Sequence, residues 1–229
     1  MKIRIGLIIL LLLLAGYFAL AIGEASFSSW KPITMPEKSE GKKLLLNPDT
    51  HTYDFIGITN PSSTSIAYTG YNWGNETEFS TDYYGYISYN DDVWADSQGG
   101  NVGDRPHFRM RFKIDEAVTN ITQIDVSVKG HGGTHLEGDE PFGWTFYIYN
   151  FNAPGWELLD TNDFYEEDTQ TGQITSSITN YIDGSGYVEI GMITNSSSAG
   201  GTGIYLDYPF ATVTYTPPTA NAQLIMISE

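Results

Sequence analysis

The most regular stretch of the chain runs from His107 to Ile114. There Phe108, Met110, Phe112 and Ile114 alternate with His107, Arg109, Arg111 and Lys113. A two-residue period sends successive side chains to opposite faces, so this run predicts a strand with one buried and one polar side. The alternation returns in Ile124, Val126 and Val128, in Trp144, Phe146 and Ile148, and in Val188, Ile190 and Met192; Phe210, Val213 and Tyr215 mark another short run. Residues 51–58, 65–71, 83–89, 156–159 and 203–208 predict further strands, with turn residues between the runs. Ile174, Ile178 and Ile182 alone are spaced for a helical turn or two. About ten strands with no helices to cover a parallel sheet imply antiparallel sheets packed face to face. The predicted fold class is therefore all-β, an antiparallel β-sandwich, with a jelly roll as the favoured arrangement.

The two ends follow different patterns. After Lys2 and Arg4, the run Ile5 to Gly23 carries no charge. A membrane span needs about 20 residues and a secretory signal core fewer, so residues 1–25 predict a hydrophobic helix that serves as signal peptide or membrane anchor. Residues 26–50 hold Pro32, Pro36 and Pro48 and read as an extended stalk. The sandwich then occupies 51–216. In the tail, 217–229, Leu224 to Ile227 are apolar on both faces and need cover, either in their own sheet or donated to a neighbouring copy. Asn75, Asn120 and Asn195 each open a glycosylation sequon, in keeping with an exported chain.

Composition narrows the partners. The formal net charge is −17, which disfavours nucleic acid and anionic lipid surfaces, so membrane contact is expected only through the N-terminal helix. There is no cysteine, which excludes thiol redox chemistry and Cys-ligated zinc. Aromatic residues reach 14 %, with 16 tyrosines, a composition suited to half-buried pleated surfaces.

The runs RFKI, ITQIDVSVKG, WTFYIYNFNAPGWELLD, SSITNYIDGSGYVEI and LDYPFATVTY resemble a jelly-roll module of secreted microbial proteins, similar to carbohydrate-binding and galactose-binding-like β-sandwiches. The resemblance covers roughly residues 51–216 and lies in strand order and spacing. It implies sugar binding on one face or end loop and a structural Ca²⁺ at the sandwich edge.

Candidate chemistry follows from local clusters. Tyr68, Tyr71 and Trp73, with Tyr84 and Tyr86 soon after, offer flat rings with polar edges that suit sugars, or else they pack inside the sandwich. Arg109, Arg111 and Lys113 form a basic strand face that either pairs with acids across strands or receives an anionic ligand such as a uronate. Asp91, Asp92, Asp96 and Asp207 are the candidate ligands for structural Ca²⁺, which takes six to eight oxygens; the alternative is solvated loop acids, or for Asp207 a partner of Arg109 or Arg111. His131 and His135 flank glycines and do not form a helical zinc pair. Nothing assembles a catalytic set. The sequence reads as a non-catalytic module, secreted or anchored on the extracellular face of the membrane, whose partner is a polysaccharide or surface glycan. Alternatives are a structural subunit that self-associates through its tail and a polysaccharide-active enzyme.

Overall fold

The computed structural model describes residues 47–59, 64–71, 73–99, 103–134, 142–164, 166–195 and 202–218. The expected leader helix, most of the stalk, the tail beyond Pro218, and His135 lie outside them. Among the described residues no helix is long and apolar enough to cross a membrane.

Among the described residues, eleven strands form two antiparallel sheets. In chain order they are β1 (Asp49–Tyr53), β2 (Ser65–Gly70), β3 (Glu76–Glu78), β4 (Ala95–Gln98), β5 (His107–Lys113), β6 (Ile121–Thr134), β7 (Trp144–Asn150), β8 (Gly155–Asn162), β9 (Asp168–Ile174), β10 (Tyr187–Thr194) and β11 (Thr202–Tyr215). The six-stranded sheet has the order β3-β2-β5-β10-β7-β8. The five-stranded sheet has the order β1-β11-β6-β9, with β4 also paired to β11. From β5 onward the chain passes repeatedly from one sheet to the other, as a jelly roll requires.

The alternation that predicted the strands also builds the core. Phe108, Met110 and Phe112 of β5, Ile190 and Met192 of β10, and Phe146 and Ile148 of β7 face inward from one sheet. Ile124, Val126 and Val128 of β6 meet them with Ile204, Leu206, Ala211 and Val213 of β11, and all belong to one buried cluster. Each of these side chains larger than alanine contributes about 1.5–3 kcal/mol on burial, so the pattern of inward positions fixes the register of the strands that carry it.

Two expectations change. The run 83–89 is not a strand. Its first half is a short helix, α1 (Thr81–Tyr86), started by Ser80, whose hydroxyl accepts from the Tyr83 amide at 3.4 Å, with Asp82 in the first turn. Ser-Thr-Asp at the entrance outweighs the β preference of the tyrosines that follow. The separate runs at 203–208 and 210–215 are one strand, β11, interrupted by a bulge between Leu206 and Pro209. Residues 178–181 form the single helical turn expected there.

Candidate functional site

The polar side of β5 is the floor of a groove on the outer face of the six-stranded sheet. Its register places Arg109 beside Gly191 and Arg111 beside Glu189 of β10; Gly191 in turn faces Tyr147 of β7, and Tyr149 of β7 faces Trp156 of β8. The groove encloses about 750 Å³ between Trp73, Glu76, Arg109, Arg111, Tyr149, Phe151, Trp156 and Glu189. That volume and lining, aromatic walls with a few convergent polar groups, are those of a small-ligand site.

Local sequence explains how the aromatic wall forms. Between β2 and β3 the chain reverses through Gly74 at φ 90°, a left-handed value that glycine adopts without strain, and this swings Trp73 over the sheet. At the other end, Asn150 Oδ1 accepts the amides of Asn152 at 3.0 Å and Ala153 at 2.9 Å. This side-chain turn closes the β7–β8 hairpin and sets Trp156 opposite Tyr149. The two indoles stack with centroids 4.4 Å apart and planes at 29°. Tyr149 meets Trp156 edge-on at 5.2 Å, and the His107 ring lies 4.1 Å from Trp73. Beneath them is Gly191; a Cβ there would stand 2.7 Å from Trp73 Cη2 and 2.9 Å from Trp156 Cζ3.

The charged floor is internally paired. Arg109 bridges Glu76 at 3.3 Å and Glu189 at 3.4 Å, while Arg111 reaches Asp183 at 2.7 Å and Glu189 at 3.0 Å. The guanidinium of Arg109 lies over Tyr68 at 4.3 Å, and that of Arg111 over Tyr187 at 4.5 Å. Burial drives the Glu189 carboxyl above its ordinary range despite the two arginines. Burial pushes Glu76 the same way, but the Gly74 amide, Arg109 and His107 together outweigh it and hold that carboxyl below the ordinary value. His107 is wholly buried, and burial keeps its imidazole below the usual value although it lies 3.3 Å from Glu76.

Of the residues proposed from sequence to contact a ligand, Trp73, Arg109 and Arg111 line the groove, and Tyr68 supports Arg109 from below. Tyr71 is exposed on the same hairpin turn but does not line the groove. Tyr84 is wholly buried, Tyr86 is half-buried against the core, and neither lines the groove. The structure adds Trp156, Tyr149, Phe151, Glu76 and Glu189. The outward phase of Tyr149 in β7 was a signal for one of them; the strand order that brings β8 and β3 to the same face was not.

The four expected Ca²⁺ ligands do not meet, and among the described residues no group of three or more His, Cys, Asp or Glu side chains is arranged for a metal. Asp91 accepts from the Val93 amide at 3.2 Å, and Asp96 accepts from the Tyr83 hydroxyl at 2.7 Å. Asp92 and Asp207 do converge, but on the Lys129 ammonium. Of the sequon asparagines, Asn75 is exposed and Asn120 half-buried. Asn195 is also exposed, and its amide nitrogen donates to the Asn162 carbonyl at 3.0 Å.

Fold and groove together define a jelly-roll β-sandwich with an aromatic, charge-paired depression on one sheet. Residues 63–215 match the AF_1625_C family, described as the C-terminal domain of an uncharacterized protein, and the chain belongs to that family. No curated protein sequence matches it. Similar solved structures include the CBM22-1 xylan-binding domain of Xyn10C from Paenibacillus barcinonensis, at 9 % identity over 75 % of this chain and 97 % of that one, with a TM-score of 0.40. The xylan-binding module CBM15 matches at 12 % identity over 72 % and 97 %, TM-score 0.39. Peanut lectin matches at 10 % over 75 % and 100 %, TM-score 0.39.

Proposed function

We propose that this protein is a non-catalytic carbohydrate-binding module that works outside the cell and holds a neutral glycan in the groove of its six-stranded sheet. The observation that carries this reading is the Trp73–Trp156 stack, walled by Tyr149 and set beside a hydrogen-bonding floor. Indole and phenol faces take the C–H surfaces of a sugar ring, and the polar floor takes its hydroxyls. The charge balance supports the neutral class. Arg109 and Arg111 face three carboxylates, Glu76, Glu189 and Asp183, so neither guanidinium is left over for a uronate. Cross-strand pairing, rather than an anion-binding face, is the use this chain makes of its basic strand.

A hydrolytic reading has one observation in its favour: Glu76 and Glu189 share Arg109 and have their acidities displaced in opposite directions. Hydrolysis also needs a carboxyl free to reach the glycosidic oxygen. The side chains of Glu76 and Glu189 are 3 % and 9 % exposed and held by arginine, which favours binding.

The test is a glycan array carrying neutral and uronate-bearing chains, followed by titration of any hit against intrinsic tryptophan fluorescence. Neutral glycans are expected to bind and to shift the emission, with Trp156→Ala weakening Kd by about tenfold or more, equivalent to about 1.4 kcal/mol. Equal binding by Trp73→Ala, Trp156→Ala and the native chain would remove the groove from consideration. Release of reducing ends from a bound glycan would turn the reading to hydrolysis.

A further inference from the structure

Four side chains converge on one positive charge on the outer face of the five-stranded sheet. Lys129, on the outer face of β6, directs its ammonium to Asn90 Oδ1 at 2.7 Å, Glu167 Oε1 at 2.9 Å, Asp207 Oδ2 at 2.9 Å and Asp92 Oδ1. Asn90 and Asp92 come from the loop between α1 and β4, Glu167 from the approach to β9, and Asp207 from the β11 bulge. The Trp94 ring lies 5.5 Å from the ammonium. Asp207 is wholly buried, and its carboxylate is ion-paired with the Lys129 ammonium at 2.9 Å. A buried carboxylate needs a positive charge at hand.

An all-oxygen shell of three carboxylates and one amide is the donor set of a hard divalent cation. The ammonium offers three hydrogens to four side chains and one charge against three. Asp92 and Glu167 are exposed enough, at 68 % and 45 %, for an entering ion to keep water on its open side. We propose that Lys129 is a tethered cation in an oxygen cage otherwise suited to Ca²⁺: the native chain holds these side chains together without metal, and shortening the lysine opens a Ca²⁺ site. In the native chain Asp92 and Asp207, expected from sequence to bind Ca²⁺, are partners of the Lys129 ammonium instead.

Full-length native protein, Lys129→Ala and Lys129→Ala/Asp207→Asn would be compared by thermal unfolding in EDTA and in CaCl₂, by calorimetric titration with CaCl₂, and by Trp94-dependent emission. Lys129→Ala is expected to melt below the native chain in EDTA and to regain stability with Ca²⁺, binding one ion with a Kd on the order of 10⁻⁴–10⁻³ M. The native melting temperature should be the same in both buffers, and the double variant should bind at least about tenfold more weakly. A Lys129→Ala chain that gains no stability or folding from Ca²⁺ would overturn the proposal. So would a native chain that binds Ca²⁺ with the same affinity and the same change in emission.

Discussion

Gly191 lies where two indoles meet the sheet, and its missing Cβ decides how closely they approach. Gly191→Ala should lift the Trp73–Trp156 pair, changing near-ultraviolet circular dichroism and lowering glycan affinity while the far-ultraviolet spectrum stays native. His107, beneath Trp73, makes a second prediction. Its folded pKa lies below the ordinary value of 6.5, with burial as the largest cause. The stability of the neutral ring is therefore fully present above pH 6.5 and is lost as pH falls through the lowered folded value. A melting-temperature series should show this decline, and His107→Gln should flatten that part of it. A decline identical in both proteins would assign it to other groups. Glu189 contributes with the opposite sign: its raised folded value makes stability fall as pH rises from its ordinary value of 4.5 through the folded one.

At the scale of elements, α1 is fastened to the sheet through Tyr84, whose hydroxyl accepts from the Ala67 amide of β2 at 3.1 Å and donates to Glu78 of β3 at 3.0 Å. Tyr84→Phe keeps the ring and removes both bonds, so it should cost about 1–3 kcal/mol in denaturant unfolding. A cost near zero would mean that the ring alone docks the helix. This element also marks where sequence reasoning stops. Strands β5, β6, β7 and β10 were legible because each has a long run with one apolar phase. β3 and β4 were not, since three or four residues, mostly polar, carry no period. Tyr84 was misplaced because alternation in a strand and the face of a short helix assign the same tyrosines to different sides, and only the Ser80 cap separates the two. Arg109 and Arg111 of the groove were readable as outward residues on β5, and Trp73 as part of an aromatic loop. Glu76, Glu189 and Trp156 come from β3, β10 and β8, which are brought to one face only by the strand order of the finished sheet.

For the whole molecule, 28 acidic residues against 11 basic ones make the compact state repel itself. Raising salt from about 0.01 M to about 0.15 M shortens the screening length from about 30 Å to about 8 Å. The melting temperature should rise over that interval, because screening relieves more repulsion than it weakens in the few ion pairs. A fall would mean that the Arg109–Arg111 network and the Lys129 cage outweigh the excess of acid. The same charge predicts no retention by immobilised nucleic acid at physiological salt.

The long strand β11 hydrogen-bonds to β1, β4 and β6, and its Thr212 meets Thr52 from 160 residues earlier in the chain. During synthesis, β1 and β4 therefore wait without a template until nearly the last of the sandwich has been made. Loop closure over that distance comes late and slowly. A ribosome stalled before Thr202 would hold not a smaller sandwich but an open chain with the β6 edge bare. Holding the nascent chain apart from its neighbours until that strand arrives is then a requirement of the topology.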